Sequence, residues 1–580
     1  MGKYVNYDVR PITDIKDMLK TSVELYGSLT SFLEKRGGVY VPVTYNEYYH
    51  DVRCLGSALY DAARHERRIM VIGENCYMWA VSYMAVVCGL GVVVPVDREA
   101  TAEDVANIVK LSETDTILYA DSVEAKVKDI AGVEKIPFSK LRAVIEAGEK
   151  ILDGGMNSYV DAPIDAHKMS VLLFTSGTTG IAKGVMLSHH NIVYDLTEMC
   201  KMINIQPEDT FLSVLPLHHT YECTCGFLCV LYRGATVAYC EKLSTITRDL
   251  EDSKASVMLV VPLLLETMYK KIWRGAEKSG RDKTLRRAIK LNNALKKVGV
   301  DLSRKLFAEI HKSFGGHMRL LVSGGAAVDP NVLEGLRDLG FLAIQGYGLT
   351  ECAPLAAVNR DTFYNDKSAG LATPNSRLEI DEPDENGIGE IKYKGENIML
   401  GYYNMPELTA EVIRDGWFYT GDLGYIDENG FLVITGRKKN VIVTTNGKNI
   451  FPEELEYFLG RDARILDAMV VGENKVSSSS AGGDKSTVGE TVIKAYIFPD
   501  YALVNAELEA QGINTSDINA PAYRDAVRAM FTSLINELNI NLPSYKRIHK
   551  FIVRRNEFEK TTTKKIKRFV KTNLDDTDQL

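Results

Sequence analysis

The sequence predicts an α/β fold: a large N-terminal domain of parallel and mixed sheets flanked by helices, a small β subdomain, and an α+β C-terminal domain. Three observations predict it. Through roughly the first four hundred residues, helical patterns alternate with short apolar strands, the order that builds a largely parallel sheet. Several of those strands run into glycine-rich turns: Val171-Leu-Leu-Phe174 into Thr175 to Gly184, Arg319 to Ser323 into Gly324-Gly325-Ala326, and Phe341 to Gln345 into Gly346-Tyr-Gly348. After Glu379 the texture changes to short strands separated by turn signals such as Asp384-Glu-Asn-Gly387 and Asp427-Glu-Asn-Gly430.

A chain of 580 residues is too long for one core, so more than one domain is expected. The boundaries read as 1–436 for the N-terminal domain, with its β subdomain at about 379–436, and 437–580 for the C-terminal one. The composition, 45% hydrophobic and 25% charged, is that of an ordinary soluble globular protein. A net charge of −8 gives no global pull toward polyanions, so nucleic acid is not an expected partner. The 9 cysteines are odd in number and form no paired framework, and no secretory leader precedes Tyr4. The expected compartment is the reduced cytoplasm. Cys223, Cys225 and Cys229 lack zinc spacing even with His218 and His219 nearby, and read as core or pocket lining.

Cys76 to Val96 carries no charge and is long enough to span a membrane. Gly89 and Gly91 interrupt it, however, and Val92 to Val96 has the form of a strand, so a buried helix followed by a strand is expected. Further on, Tyr523, Val527, Phe531, Leu534 and Leu538 mark the buried face of a helix, and Ser477 to Ser486 reads as a surface loop.

Thr175-Ser-Gly-Thr-Thr-Gly-Ile-Ala-Lys183-Gly184 is composed to hold phosphate. Its glycines let backbone N–H groups converge on an anion, the hydroxyls of Thr175, Ser176, Thr178 and Thr179 add donors, and Lys183 adds a full charge. A P-loop requires Gly before the lysine and a hydroxyl after it; Ala182 and Gly184 stand there instead. An ordinary Ser/Thr/Gly surface turn is the bland reading, and it rarely packs so many donors ahead of a lysine. Downstream stand Gly346-Tyr-Gly-Leu-Thr-Glu351, Tyr419-Thr-Gly-Asp422, Gly436-Arg-Lys-Lys439 and Lys560-Thr-Thr-Thr-Lys-Lys565-Ile-Lys-Arg568. An aromatic ring, a hydroxyl and a carboxylate on one turn could stack on a base, touch phosphate and hold magnesium.

In this order the motifs resemble those of the adenylate-forming superfamily, most closely its long-chain fatty-acid–CoA ligases. The resemblance runs from about Tyr45 to Arg568. It implies a large N-terminal domain and a mobile C-terminal lid, ATP and Mg2+ as cofactors, and CoA as co-substrate. A carboxylic acid would become an acyl-adenylate with release of pyrophosphate, and the acyl group would then pass to the CoA thiol.

Carried over by residue, the resemblance places Thr175, Ser176, Gly177, Thr178, Thr179, Gly180 and Lys183 on the β- and γ-phosphates. Gly324, Gly325, Ala326, Gln345, Gly346, Tyr347 and Gly348 would line the nucleotide cleft, with Tyr347 beside adenine. Thr350 would touch the α-phosphate, Glu351 would ligate the metal, and Asp422 would bind ribose with the help of Arg437. Lys439 matches the hinge, and Gly447 the loop facing the thiol. Lys565 matches the lysine bridging carboxylate and α-phosphate, although Lys564 stands where the family has Gly. His219, in Leu215-Pro-Leu-His-His-Thr-Tyr-Glu222, matches a histidine of the carboxylate pocket, which Gly325 and Gly348 would also line.

The implied acid is a medium- to long-chain fatty acid, with an aryl or other carboxylate as the alternative. An acyl carrier protein is the alternative acceptor, and a non-catalytic adenylate-binding protein the remote reading. The basic residues from Lys270 to Arg304 read as a solvated face, with peripheral contact to an anionic membrane as a second reading. The basic C-terminal segment lacks the interleaved aromatics of an RNA-binding surface.

Overall fold

A computed structural model describes residues 4–60, 67–176, 182–444, 448–474, 491–560 and 566–580. The chain divides into two units. One comprises Met1–Glu379, Lys392–Tyr419 and Ile426–Val433; the other comprises Ile380–Ile391, Thr420–Tyr425 and Ile434–Leu580. Two short pieces of the stretch read as a β subdomain, 380–391 and 420–425, thus group with the C-terminal residues.

The first unit contains two large sheets. One has seven strands in the order Gly401–Tyr402, Ala182–Ser188, Met169–Ser176, Gly91–Val96, Arg67–Ile72, Thr116–Tyr119 and Glu134–Pro137. Its last five strands run parallel, while Ala182–Ser188 turns back antiparallel on Met169–Ser176. Parallel strands covered on both faces must be apolar throughout, and Ile69 to Ile72 and Val93 to Val94 are fully buried. The second sheet has nine strands in the order Leu371–Ala372, Leu355–Val358, Leu342–Gly348, Leu320–Ser323, Val257–Val260, Thr210–Ser213, Thr236–Tyr239, Thr30–Arg36 and Val39–Thr44. It packs through Leu212, Met258, Leu321 and Ala343 against Leu265, Phe307, Phe314 and Leu333.

The charge-free stretch from Cys76 resolves into a helix Tyr77–Ala85, a wider π turn Val86–Leu90 and the strand Gly91–Val96. Gly91 is obligatory there: its φ is +136°, and a Cβ would stand 2.3 Å from the Arg67 carbonyl oxygen. Among the described residues, no helix is long and apolar enough to cross a membrane.

Helix His189–Met202 begins at a capping box formed by Ser188 and Asn191 and fastens two later segments to the first sheet. Asn191 Nδ2 donates to the Glu396 and Ile398 carbonyls at 2.7 and 2.9 Å. The buried Asp195 Oδ1 accepts from Leu355 N at 3.0 Å and Asn397 Nδ2 at 2.9 Å.

The second unit has a three-stranded sheet of Ile465–Asn474, Thr491–Pro499 and Lys550–Val553, antiparallel then parallel. The helix Pro521–Ile540 buries Tyr523, Val527, Phe531, Leu534 and Ile535 in the same core. The Ser477 to Ser486 loop lies outside the described residues.

Candidate nucleotide and acyl-activation site

The Thr175-to-Gly184 motif grows from a β-hairpin. Met169–Ser176 and Ala182–Ser188 pair antiparallel, and their register sets Thr175 opposite Lys183 and Phe174 opposite Gly184. The lysine thus returns to the level of the threonine that opens the motif. Gly184 is tightly enclosed, since a Cβ there would meet Leu172 Cδ1 at 3.0 Å and Tyr403 Cβ at 3.2 Å. Ser176 ends the first strand, and Gly177, Thr178, Thr179 and Gly180 lie outside the described residues.

Glu351 belongs to a turn at the end of Leu342–Gly348, which reverses into Leu355–Val358 with Gly346 opposite Val358 and Tyr347 opposite Ala357. The turn closes through Leu349 N donating to Pro354 O at 2.8 Å and Cys352 N to Leu349 O at 2.9 Å. A Cβ on Gly348 would stand 2.3 Å from the Pro354 carbonyl oxygen, so only glycine fits. Tyr347 is buried, and Thr350 opens a short 3-10 turn with Glu351 and Cys352. Gln345 has a structural occupation. Its Oε1 accepts from Val328 N at 3.0 Å, while Nε2 donates to Asp366 O and Ser368 O at 2.9 and 3.0 Å. The side-chain amide thus ties three backbone groups of the scaffold together.

Met399 to Tyr403 joins these two motifs, a link not foreseen in the sequence. Met399 N donates to Glu351 O at 2.8 Å, Leu400 N to Met186 O at 2.9 Å, and Tyr403 N to Gly184 O at 2.7 Å. The hydroxyl of Tyr402 donates to Glu351 Oε1 at 2.8 Å, and Lys183 Nζ sits 5.0 Å from the centroid of its ring. Burial, then the neighbouring Glu351 charge, raises the Tyr402 hydroxyl far above the ordinary tyrosine range. It therefore stays protonated and donates.

Beside this lies the Gly324 turn. Gly324 N donates to Val260 O at 3.1 Å, and a Cβ on Gly324 would meet the Tyr221 ring at 2.9 Å. Gly325 follows with φ +88°, and Ala326 completes the turn. Tyr221 is anchored by its hydroxyl on Val322 O at 2.9 Å. It opens a π turn, Tyr221–Leu228, that sequence periodicity did not disclose.

The histidine segment is held by Asn75, another unforeseen residue. Asn75 Nδ2 donates to Leu215 O at 2.6 Å and Ser213 Oγ at 3.0 Å, and Oδ1 accepts from Leu217 N at 3.0 Å. The rings of His218 and His219 lie 4.4 Å apart. Burial, reinforced by His219, pushes His218 well below the ordinary histidine range, so it is neutral at pH 7. Glu222, 1% exposed, is driven up to about 8 by burial and is mostly protonated there. The three neighbouring cysteines are buried with free thiols.

In the second unit, Asp422 Oδ1 lies 2.9 Å from Arg437 Nε. Its turn is shaped by Gly421 at φ +72° and by Thr420, whose Oγ1 accepts from Asp422 N at 3.1 Å. Glu390 braces both sides: it accepts from Gly421 N at 3.1 Å through Oε1 and from Lys438 Nζ at 2.7 Å through Oε2. Lys439 is exposed in the following turn Lys438–Asn440. Gly447, Lys564 and Lys565 lie outside the described residues. The chain on either side of 561–565 is gripped by the fully buried Asn573, whose Nδ2 donates to Glu559 O and Lys567 O, each at 2.9 Å.

Among the described residues no group of three or more His, Cys, Asp or Glu side chains could cage a metal ion. Glu351 offers one hard carboxylate, which suits magnesium, an ion that takes one or two protein oxygens and draws the rest from phosphates and water.

The AMP-binding enzyme family model matches residues 22–403. Long chain acyl-CoA synthetase 1 of Arabidopsis thaliana is 29% identical over 519 residues, covering 80% of this chain and 77% of that protein. Long-chain-fatty-acid–CoA ligase 1 of Homo sapiens is 29% identical over 482 residues, covering 74% and 68%. Among solved structures, O-succinylbenzoate coenzyme A synthetase from Bacillus subtilis, in complex with ATP and magnesium ion, superposes with a TM-score of 0.70 at 19% identity over 95% of this chain and 98% of that one.

Proposed function

The chain belongs to the AMP-binding enzyme family, and from that premise we propose that it converts a medium- to long-chain fatty acid to its CoA thioester through an acyl-adenylate. It is an AMP-forming acid–CoA ligase. The fatty-acid substrate is our reading from relatives named for long-chain acids and from Leu215 to Glu222, where His219 would line the carboxylate pocket. The single observation that carries the activation chemistry is the joining of Lys183 and Glu351 on the two faces of Tyr402's chemistry, ring and hydroxyl.

In the first half-reaction a carboxylate oxygen bonds to the α-phosphorus of ATP and the bond to pyrophosphate breaks. Two anions must approach, and positive charge in a partly dry cleft counts for more than in water. Thr175 and Lys183 would hold the departing β- and γ-phosphates, and Thr350 would touch the α-phosphate. Magnesium bound at Glu351 would supply charge neutralisation at the phosphate oxygens. Asp422, steadied by Arg437, would accept from the ribose hydroxyls. Lys565 would bridge carboxylate and α-phosphate. Each such preorganised contact is worth about 3–4 kcal/mol, or roughly 10²–10³ in rate.

In the second half-reaction the CoA sulfur bonds to the acyl carbon, AMP departs, and the thiol proton is released to solvent. No covalent enzyme intermediate is required. An aryl acid is the second reading, since one protein of similar fold is named for O-succinylbenzoate; a carrier-protein thiol in place of CoA would leave the first half unchanged. We place the reaction in the cytoplasm. Incubating the enzyme with ATP, CoA and acids from acetate to palmitate plus simple aromatics tests the proposal. AMP and thioester should appear together, most rapidly with the longer aliphatic acids; preference for an aromatic acid would overturn the fatty-acid reading.

A further inference from the structure

We propose that Tyr402 is a positioning residue that couples the metal-binding carboxylate to the phosphate-binding lysine: its hydroxyl fixes Glu351 while its ring face seats the Lys183 ammonium. The inference rests on the adenylation reading and assigns a role to a residue that carries none of the nucleotide motifs.

The local fold leaves Tyr402 little freedom. Gly401 and Tyr402 pair antiparallel with Met186 and Val185, and Tyr402 N donates to Thr409 Oγ1 at 2.9 Å. Gly401 has φ +139°, and a Cβ there would meet Thr409 Cγ2 at 2.9 Å, so the strand enters along one path. The flanking amides of Met399 and Tyr403 bond the backbones of Glu351 and Gly184. Tyr402 is itself only 5% exposed.

Its two contacts are of different kinds. The hydroxyl donates to one carboxylate oxygen, a charge-assisted bond that orients the group and leaves lone pairs on the second oxygen for a hard cation. The ring offers its negative face to the ammonium. Among the described residues no ion pair joins Lys183 to Glu351, although the two have opposite charge and share a neighbour. By engaging both, Tyr402 keeps them from neutralising each other, so the lysine stays available to phosphate and the carboxylate to metal.

The chemistry predicts a split between two variants of the full chain. Tyr402→Phe keeps the ring and loses the hydroxyl; Tyr402→Leu loses both. Removing a hydrogen-bond partner of a metal ligand commonly costs about 10–100-fold in metal affinity. In Tyr402→Phe the Mg2+ concentration giving half-maximal ATP–pyrophosphate exchange should rise at least tenfold, while calorimetric ATP binding in EDTA stays at wild type. In Tyr402→Leu, ATP binding in EDTA should weaken as well. Tyr403→Phe is the control. It removes the next hydroxyl, which donates to Glu113 at 3.1 Å, and should leave the Mg2+ requirement unchanged.

Half-saturation by Mg2+ is independent of how much enzyme is folded, so a partly destabilised variant still decides the matter. An unshifted Mg2+ requirement in Tyr402→Phe, with wild-type metal-dependent ATP binding, would overturn the proposal. Absence of carboxylate-dependent exchange in the wild type would instead strike the adenylation reading. The calorimetric comparison of ATP with and without Mg2+ would then still test Tyr402 by itself.

Discussion

The Arg437 guanidinium holds Asp422 from one side, Nε to Oδ1 at 2.9 Å, and the two differ sharply in exposure: the Asp422 side chain is 6% exposed and the Arg437 side chain 50%. A buried carboxylate paired with a guanidinium and set in a glycine turn suits a diol that donates two hydrogen bonds.

Asp422→Asn should therefore weaken ATP binding by roughly 10–100-fold, the loss expected for charged hydrogen bonds of about 1.5–3 kcal/mol. Arg437→Ala should weaken it less, because it loosens the carboxylate without removing it. Equilibrium titration with ATP and with its 2′,3′-dideoxy analogue separates the two. The analogue should bind wild type and Asp422→Asn alike.

Gly348→Ala should disable the Glu351 turn. The added methyl would sit 2.3 Å from a backbone oxygen that already accepts from Leu349 N at 2.8 Å, so the turn rather than a side chain must move. A cost of about 1–3 kcal/mol in stability is expected. Exchange activity should fall by more than the loss of folded protein explains, as thermal melts and exchange rates on the same preparation would show.

Glu222 gives the protein a pH-dependent stability. Its folded value, about 8, stands above the ordinary 4.5, with burial the cause and the Ser213 hydrogen bond opposing it. Its neighbours Tyr221, Cys223, Cys225 and Tyr239 are likewise pushed upward by burial and stay neutral. Below pH 4.5 both folded and unfolded chains hold the proton. Between 4.5 and 8 only the unfolded chain releases it, so stability falls as pH rises, by a total on the order of 5 kcal/mol. Glu222→Gln should remove that slope. Melting temperatures of the two proteins should converge or cross in favour of Gln as pH rises from 5 to 8; parallel curves would exclude the effect.

Lys565→Ala should separate the two half-reactions. Adenylate formation should drop by at least about 10²-fold, whereas thioester formation from supplied acyl-adenylate and CoA should continue. Equal losses in both would assign the lysine a structural part. Lys564→Ala on the same assays resolves which of the adjacent amines acts.

The motifs themselves were legible in the sequence because they depend on residue type and order: glycines, hydroxyls and a lysine in one loop, a carboxylate after an aromatic. The buried helix and strand of Cys76 to Val96 were also legible, since two glycines broke an otherwise spanning run. What escaped depends on distant pairing. Nothing local to Met399 to Tyr403 says that it will close the gap between Glu351 and Gly184, two positions far apart in the chain. Asn75 likewise discloses its task only when Leu215 and Leu217 are beside it. Gln345 sits inside a motif, yet its amide serves the scaffold, a distinction that requires its three partners to be seen. The π turn at Tyr221–Leu228 shifts helical register by a residue, and apolar periodicity in so uniformly buried a segment carries no trace of that.

Carboxylate-dependent ATP–pyrophosphate exchange by the purified chain, without CoA, tests the central claim most directly. The account predicts exchange that requires Mg2+ and an added acid, is strongest with medium to long aliphatic chains, and is lost on replacement of Glu351. No acid-dependent exchange with any member of a panel from acetate to palmitate and simple aromatics would contradict it.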